Sequence, residues 1–511
     1  MNELLRIDNL TVSFRDDKDD LSDGMTAVRG VSLSIDRGET LALVGESGCG
    51  KTVMCKSMMG FLCSRGSVDT GSIEYMGEDL VCLDEKALAR YRGGQIAMIP
   101  QDPMTSLDPM MSVGEQIAEV FRIVDRSDYP AAAGPAASSS GDFSKAGAGL
   151  SARQRALSLM KQVGIEDAEK RYDQRPYQFS GGMRQRIVIA IALAGDPKLV
   201  LADEPTTALD EETRTEILEL IRRMQGELGF GMLFITHDLH LVAHMAQRVA
   251  IMKEGKILEE GSVEKVFGEP SCDYTKKLLG YLDYYRHKGH IHRASVSSPR
   301  TPPVLTVRGL NKSYGNLRVF RDFDLEAYSG EILGIVGRSG CGKSTLAGCI
   351  VGIEPYESGS IEIPGGRRRA QMIFQDTIYA FNERMTIEEI IAEPLKIRRE
   401  KGLKKVGAEE RRIRVMQTMD EVGLERSLAG RRPYELSGGQ RQRAAIARAL
   451  IADPDVIIAD EPLTGLDITS QAKIVHLLRD LVDSRGLSLI LIAHDRPMVE
   501  HISDRIIQLD Q

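Results

Sequence analysis

A duplication constrains this chain more than any other feature. GESGCGKT, which begins at Gly45, recurs as GRSGCGKS, which begins at Gly337. Each follows a short apolar run ending in glycine, TLALVG at 40–45 and EILGIVG at 331–337. Such runs read as buried strands that feed a loop and then a helix. Four more blocks repeat in the same order. IPQDP (99–103) pairs with IFQDT (373–377), and FSGGMRQR (179–186) with LSGGQRQR (436–443). LADEP (201–205) pairs with IADEP (458–462), and THD (236–238) with AHD (493–495). Five matched blocks in one order require two homologous domains in tandem, and 511 residues are too many for one compact core.

The spacing of the blocks locates the insertions. The offset between copies falls from 292 at the glycine loops to 274 at the glutamine blocks and 257 at the Ser-Gly-Gly blocks. The second of these gaps contains YPAAAGPAASSSGDFSKAGAGLS (129–151), which has no apolar period and is expected to be a disordered surface loop. RHKGHIHRASVSSPRTPP (286–303) has linker composition. The expected division is therefore a first domain at 1–282, a linker at 283–303 and a second domain at 304–511. Strands alternating with helices imply a mainly parallel sheet in each domain, with the site beyond the strand carboxyl ends.

Composition narrows the functional classes. A net charge of −8 argues against a nucleic-acid binder held by a basic surface. No stretch reaches 18 uninterrupted apolar residues, and MNELLRIDNLTVSF lacks the pattern of a signal peptide. Seven scattered cysteines without a CxxC pair fit reduced thiols in a cytoplasmic protein.

The repeated blocks carry phosphate chemistry. Both glycine loops satisfy G-x-x-x-x-G-K-[ST], so backbone N–H groups can turn inward around phosphate oxygens at a helix N-terminus. The expected binding residues are Gly45, Ser47, Gly48, Gly50, Lys51, Thr52 and Val53, and their counterparts Gly337, Ser339, Gly340, Gly342, Lys343, Ser344 and Thr345. Lys51 and Lys343 would contact the β- and γ-phosphates, and Thr52 and Ser344 would ligate Mg²⁺. Asp203 and Asp460 end apolar strands, where each can hold the same Mg²⁺. Glu204 and Glu461 follow and are placed to polarise an attacking water. His237 and His494 end the next strand and could donate to the γ-phosphate. The Ser-Gly-Gly turns offer a hydroxyl and open N–H groups to an anion, yet neither carries a lysine of its own.

This combination resembles the ATP-binding-cassette (ABC) ATPases, over nearly the whole chain. The resemblance implies an α/β fold of two tandem P-loop NTPase domains. Each would have a mainly parallel core sheet, an antiparallel β subdomain and a helical subdomain bearing the signature. Gln101 and Gln375 resemble the glutamine that contacts Mg²⁺ and the transport partner. Ser180, Gly181 and Gly182, with Ser437, Gly438, Gly439 and Gln440, resemble the signature, in which Met183 replaces Gln440's counterpart. Asp210 and Asp467 resemble the aspartate of the D-loop, and Phe14 and Tyr314 the aromatic that stacks on adenine. The family organisation implies a head-to-tail sandwich in which the Lys51 loop faces Ser437 and the Lys343 loop faces Ser180. Both sites then keep their catalytic groups, so two competent sites are expected.

Finer similarity points to the peptide and nickel importer ATPases. QDPMTSLDPMMSVGEQI (101–117) looks like their stretch after the Q-loop, and GEPSCDYTKKLL (268–279) like their terminal element. The resemblance implies a peripheral subunit on the cytoplasmic face of the membrane. It would drive uptake of peptides, or nickel, through two separate permease subunits with an extracytoplasmic substrate-binding protein. No nucleic-acid partner is expected. The alternatives are a soluble tandem cassette ATPase acting on ribosomes or DNA, and the motor of a vitamin importer or an exporter. His287, His290 and His292 form an H-x-x-H-x-H cluster whose imidazoles suit Ni²⁺ or Zn²⁺, although linker histidines are commonly solvated. The Arg367–Arg369 run and the basic segment at 401–414 read as solvated faces, with membrane headgroups as the alternative.

Overall fold

The computed structural model describes residues 3–15, 25–63, 65–125, 150–206, 209, 211–287, 302–315, 317–338, 340–375, 377–397, 407–493 and 495–509. Side chains at 211, 281–287, 378 and 379 are outside that description. So are the expected sites Asp210, Ser339 and His494, the histidines at 290 and 292, and nearly all of the 129–151 segment. The chain divides into two compact units, Met1–Leu279 and Gly280–Gln511.

In the first unit the strands are β1 (Glu3–Phe14), β2 (Met25–Asp36), β3 (Thr40–Gly45), β4 (Gly66–Tyr75), β5 (Glu78–Asp79), β6 (Ile96–Ile99), β7 (Leu199–Asp203), β8 (Gly231–Thr236), β9 (Arg248–Lys253) and β10 (Lys256–Ser262). Two sheets result, one antiparallel in the order β2-β1-β4-β5 and one six-stranded in the order β10-β9-β3-β8-β7-β6. Strands β3 and β6 to β9 are parallel, and only β10 runs antiparallel to its neighbour. Residues of β3, β7 and β8 are buried throughout, as uninterrupted apolar runs covered on both faces must be. In β1 the burial alternates, because one face packs inward through Leu5, Ile7, Leu10 and Val12.

The second unit repeats this plan with β11 (Leu305–Tyr314), β12 (Leu317–Ala327), β13 (Ile332–Gly337), β14 (Ser358–Glu362), β15 (Ala370–Ile373), β16 (Val456–Asp460), β17 (Ser488–Ile492) and β18 (Arg505–Leu509). Its antiparallel sheet is β12-β11-β14, and its core sheet, β15-β16-β17-β13-β18, is entirely parallel. The first unit's longer spacing is visible as structure. Strand β5 and the short helix Glu85–Leu88 lie between β4 and β6, whereas β14 reaches β15 through the single turn Arg367–Arg369.

The start of each loop-bearing strand is tied down differently. In the first unit the Thr40 N–H donates to Gln247 Oε1 at 2.8 Å, and Gln225 Nε2 donates to Thr40 Oγ1 at 2.9 Å. In the second, the Ile332 N–H donates to Asp504 Oδ2 at 2.8 Å, and Asp504 pairs with the buried Arg479 at 3.1 Å. The neutral network of one unit is an ion pair in the other.

The helix Asp273–His287 leaves the first unit, passes the unit boundary and continues beyond the expected start of the linker at 283. Its N-terminus is held by a carboxylate from β10. Ser271 donates to Glu259 through both its N–H and its hydroxyl at 2.7 Å, and the Cys272 N–H donates at 3.2 Å. Partial desolvation pushes the Glu259 carboxyl upward, but hydrogen bonding from Thr275, Ser271 and Cys272 outweighs it and holds its pKa at about 2. A folded pKa below the ordinary 4.5 means stabilisation that is complete above pH 4.5 and fades as pH falls toward 2. Glu259→Gln is therefore expected to cost about 1–2 kcal/mol at neutral pH, discounted for solvent exposure. Urea unfolding at neutral and acid pH checks this, and the gap between variant and parent should narrow as the pH drops below 4.5.

Candidate functional site

Each loop closes around its own lysine. Lys51 is 5% exposed, and its ammonium donates to Gly45 O at 2.7 Å and Glu46 O at 2.9 Å. Lys343 donates to Gly337 O at 2.7 Å and Arg338 O at 2.8 Å. Cys49 Sγ and Cys341 Sγ lie 3.8 and 3.9 Å from the two ammonium groups, contacts that the sequence did not suggest. Gly50 and Gly342 cap the following helices with φ of 107° and 100°, a region that disfavours a side chain. A Cβ at Gly50 would also meet Ala27 O at 2.4 Å, and one at Gly342 would meet Val319 Cγ1 at 2.3 Å. Helices Lys51–Met58 and Lys343–Val351 thus begin with open N–H groups at the loop, a ready anion seat.

The acidic strand ends meet these helices. Thr52 Oγ1 donates to Asp203 Oδ1 at 3.1 Å, and the Ser344 hydroxyl bonds Asp460. Burial raises both aspartates above the ordinary carboxylate range; the hydroxyls partly oppose this, and Glu204 and Glu461 add to it. Asp460 Oδ1 is buried without a hydrogen-bond partner. An orphaned carboxylate oxygen beside a hydroxyl suits a hard divalent cation, so the residues fit Mg²⁺.

The next residue is strained. Glu204 and Glu461 have φ of 47° and 46°, rare for a side-chain-bearing residue. Their N–H groups bond across to Ile235 O at 3.0 Å and Ile492 O at 2.8 Å. Gln101 Nε2 donates to Glu204 Oε2 at 3.0 Å, and Gln375 Nε2 to Glu461 Oε2 at 2.9 Å. His237 Nδ1 lies 3.2 Å from the same Glu204 oxygen. Thr464 Oγ1 donates to Glu461 Oε2 at 3.1 Å, a partner missed in the sequence because nothing marks one threonine in a loop. Each unit thus gathers its lysine loop, hydroxyl, Asp–Glu pair and glutamine into one constellation.

The Ser-Gly-Gly turns begin helices of their own. Ser180 and Ser437 are N-caps of the helices Gly181–Leu193 and Gly438–Leu450. Ser437 has a reciprocal capping box: Gln440 N–H donates to its hydroxyl at 3.3 Å, and its own N–H donates to Gln440 Oε1 at 2.9 Å. With Met183 in place of glutamine, Ser180 keeps only the first bond, at 3.4 Å. The following arginines serve the fold. Arg184 and Arg441 donate to Pro176 O and Leu436 O, and Arg186 and Arg443 to Val163 O and Val422 O. Asp467 caps the helix Ile468–Arg485 by accepting from Ser470 N–H at 2.9 Å and Ser470 Oγ at 3.0 Å.

Phe14 ends β1 opposite Met25, two residues before the Ala27 that abuts Gly50. Tyr314 lies opposite Leu317, two residues before the Val319 that abuts Gly342. Tyr314 is 47% exposed, donates its hydroxyl to Glu354 at 2.9 Å and carries the Lys312 ammonium 4.3 Å from its ring centroid. Of the basic segments, Arg367 packs on Tyr356, and Arg369 pairs with Asp455 and Asp453. No group of three or more potential metal-ligating His, Cys, Asp or Glu occurs among the described residues, and no described helix is long and apolar enough to cross a membrane.

The raised aspartates carry a pH signature. A carboxyl whose folded pKa exceeds its unfolded 3.8 binds protons more tightly when folded, so its contribution to stability is lost as pH rises through the folded value. Asp460→Asn should therefore stabilise the magnesium-free chain by about 1 kcal/mol at neutral pH. Thermal unfolding in chelator should show that gain shrinking as the pH approaches 3.8.

Comparison with known proteins agrees with this architecture. A sequence profile of the ABC transporter family matches residues 28–207 and again 320–464. The chain is 38% identical to the peptidoglycan transport ATP-binding protein YejF of Agrobacterium fabrum, over 99% of this chain and 90% of that protein. It is 36% identical to the glutathione import ATP-binding protein GsiA of Escherichia coli, over 99% of this chain and 84% of that one. A crystallised archaeal ribosome recycling factor, in complex with a ribosomal stalk protein, shares the fold with a TM-score of 0.59 at 21% identity, over 94% of this chain and 84% of that one. Two phosphate loops with their acidic strand ends, each in an α/β sheet of the same design, place the chain in the ABC transporter family as a tandem pair of its ATPase domains.

Proposed function

We propose that this chain is the ATP-hydrolysing subunit of an importer, working at two composite sites formed head to tail between its halves. The observation that carries the reading is the extent of likeness to the two import and transport ATP-binding proteins, which spans both halves. The cargo is a peptide or a related small molecule; nickel is the other cargo that the sequence similarity suggested. The chain would lie on the cytoplasmic face of the membrane with two permease subunits, which receive substrate from an extracytoplasmic binding protein. Met104 and Met110, which follow Gln101 in the chain, are 60% and 73% exposed, apolar side chains suited to a permease contact.

The residues divide the chemistry between them. Lys51 and Lys343 exchange their loop carbonyls for phosphate oxygens, and the helix N-termini receive the rest of the negative charge. Thr52, Asp203 and Gln101, with Ser344, Asp460 and Gln375, would hold Mg²⁺, which when bound neutralises charge on the β- and γ-phosphates. Glu204 and Glu461 orient the attacking water and accept its proton, so the glutamine amides must first leave their carboxylates. His237 and His494 steady the γ-phosphate. Ser180 and Ser437 with their glycines close on the triphosphate held by the opposite half. Hydrolysis then removes the link and lets the halves separate.

With independent sites, Glu204→Gln and Glu461→Gln should each leave about half of the ATPase rate at saturating ATP. The double variant should lose at least about 10²-fold. Steady-state phosphate release measures this, and complete loss in one single variant would rule out independence. Affinity purification from native membranes should recover two multi-span permeases. Recovery of ribosomes without permeases would refute the importer reading, and reconstituted uptake of peptides against Ni²⁺ would identify the cargo.

A further inference from the structure

The two phosphate loops are geometric copies with opposite charge at one position. Their lysines make the same two carbonyl bonds within 0.1 Å, and Gly48 and Gly340 share a φ of 81°. Within the eight-residue motifs, the only differences are Thr52 against Ser344, both Asp-bonded hydroxyls, and Glu46 against Arg338. Glu46 and Arg338 supply the second carbonyl that holds the lysine, so each side chain leaves the backbone at the anion seat itself. Neither has an ion-pair partner among the described residues. Burial pushes the Cys49 thiol up and Lys51 opposes it, and the Glu46 charge adds a smaller upward push inside the same loop.

Of the other charges near the two seats the acidic pairs match, whereas Lys56, whose charge reaches Asp203, has Gly348 as its counterpart, and Arg15, next to Phe14, has Gly315. Asp203 with Glu204 matches Asp460 with Glu461. On the adenine side, the second unit adds Lys312 and Glu354, but these pair with each other at 3.4 Å where the first unit has Val12 and Leu62. Within the loops themselves the difference is two unit charges, residue 46 against 338.

From this we infer that the Lys343 loop is the high-affinity ATP site of the chain and the Lys51 loop the low-affinity one, with Arg338 and Glu46 setting the difference. The inference rests on both loops binding ATP, as in the proposed function. A guanidinium attracts the triphosphate and a carboxylate repels it, and at a solvent-facing loop the effect is modest and screened by salt. A difference of about fivefold in Kd at low ionic strength follows, shrinking toward about twofold at 0.5 M salt. ATP would then load the second half first, and its concentration would govern occupancy of the Lys51 loop.

Titration of the full chain with a fluorescent ATP analogue and Mg²⁺ tests this. Lys51→Ala, which leaves the Lys343 loop, should bind the analogue about fivefold more tightly than Lys343→Ala. Adding Glu46→Arg to Lys343→Ala should tighten binding, and adding Arg338→Glu to Lys51→Ala should weaken it, reversing the order. With both lysines intact, Glu46→Gln with Arg338→Gln should merge two binding phases into one, a readout that survives if a lysine variant misfolds. Equal affinities, or an order unmoved by the charge exchanges, would overturn the inference. Failure of the unmodified chain to bind the analogue would instead overturn the proposed function.

Discussion

A buried ammonium must be hydrogen-bonded to something, and in both halves the partner is the loop that surrounds it. Lys51 and Lys343 hold the carbonyls of their own loops in a closed curl. That curl needs a left-handed glycine where the helix begins, and it needs a strand that delivers the chain to one fixed point. The buried runs of β3 and β13 provide the point, with parallel neighbours on both sides. Strands β7 and β16, one place further across the same sheets, end in the acidic residues, so the sheet that anchors the lysine also presents the carboxylates. An anion arriving at such a loop finds its donors already aimed, and little reorganisation remains.

Most of this was legible because phosphate binding is written locally. Glycine spacing, a lysine and a hydroxyl specify a loop whose geometry needs no distant contact, and β7 and β16 announce themselves as apolar runs ending in Asp-Glu. What the sequence hid depends on residues far apart in the chain. Gln101 lies on Glu204 across 103 positions, and nothing in either segment signals the contact. Arginines after the signature look like an anion-binding face, yet the fold uses them to tie a helix to carbonyls 5 to 23 residues away. The left-handed backbone of Glu204 and Glu461 is equally silent, because glutamate is an unusual residue for it.

Duplication has preserved the chemistry and released its supports. The N–H that opens the loop-bearing strand is held by a glutamine amide in one unit and by an aspartate paired with a buried arginine in the other. A buried ion pair is weak evidence for extra stability, since desolvation opposes the attraction. The two arrangements are better seen as alternative solutions to one accounting problem, an N–H that must not be left unsatisfied. The signature serine follows the same rule. Gln440 completes a reciprocal cap on Ser437, whereas Met183 leaves Ser180 with half of one.

The strained glutamates set a conflict for any attempt to harden this protein. Residues 204 and 461 sit in a conformation that costs a side-chain-bearing residue about 1–3 kcal/mol and costs glycine almost nothing. Selection for thermal tolerance alone would therefore drift toward glycine or asparagine at these positions and remove the carboxylates on the way. A library screened only for survival at high temperature would enrich sequences that keep the fold and have lost their reason for it.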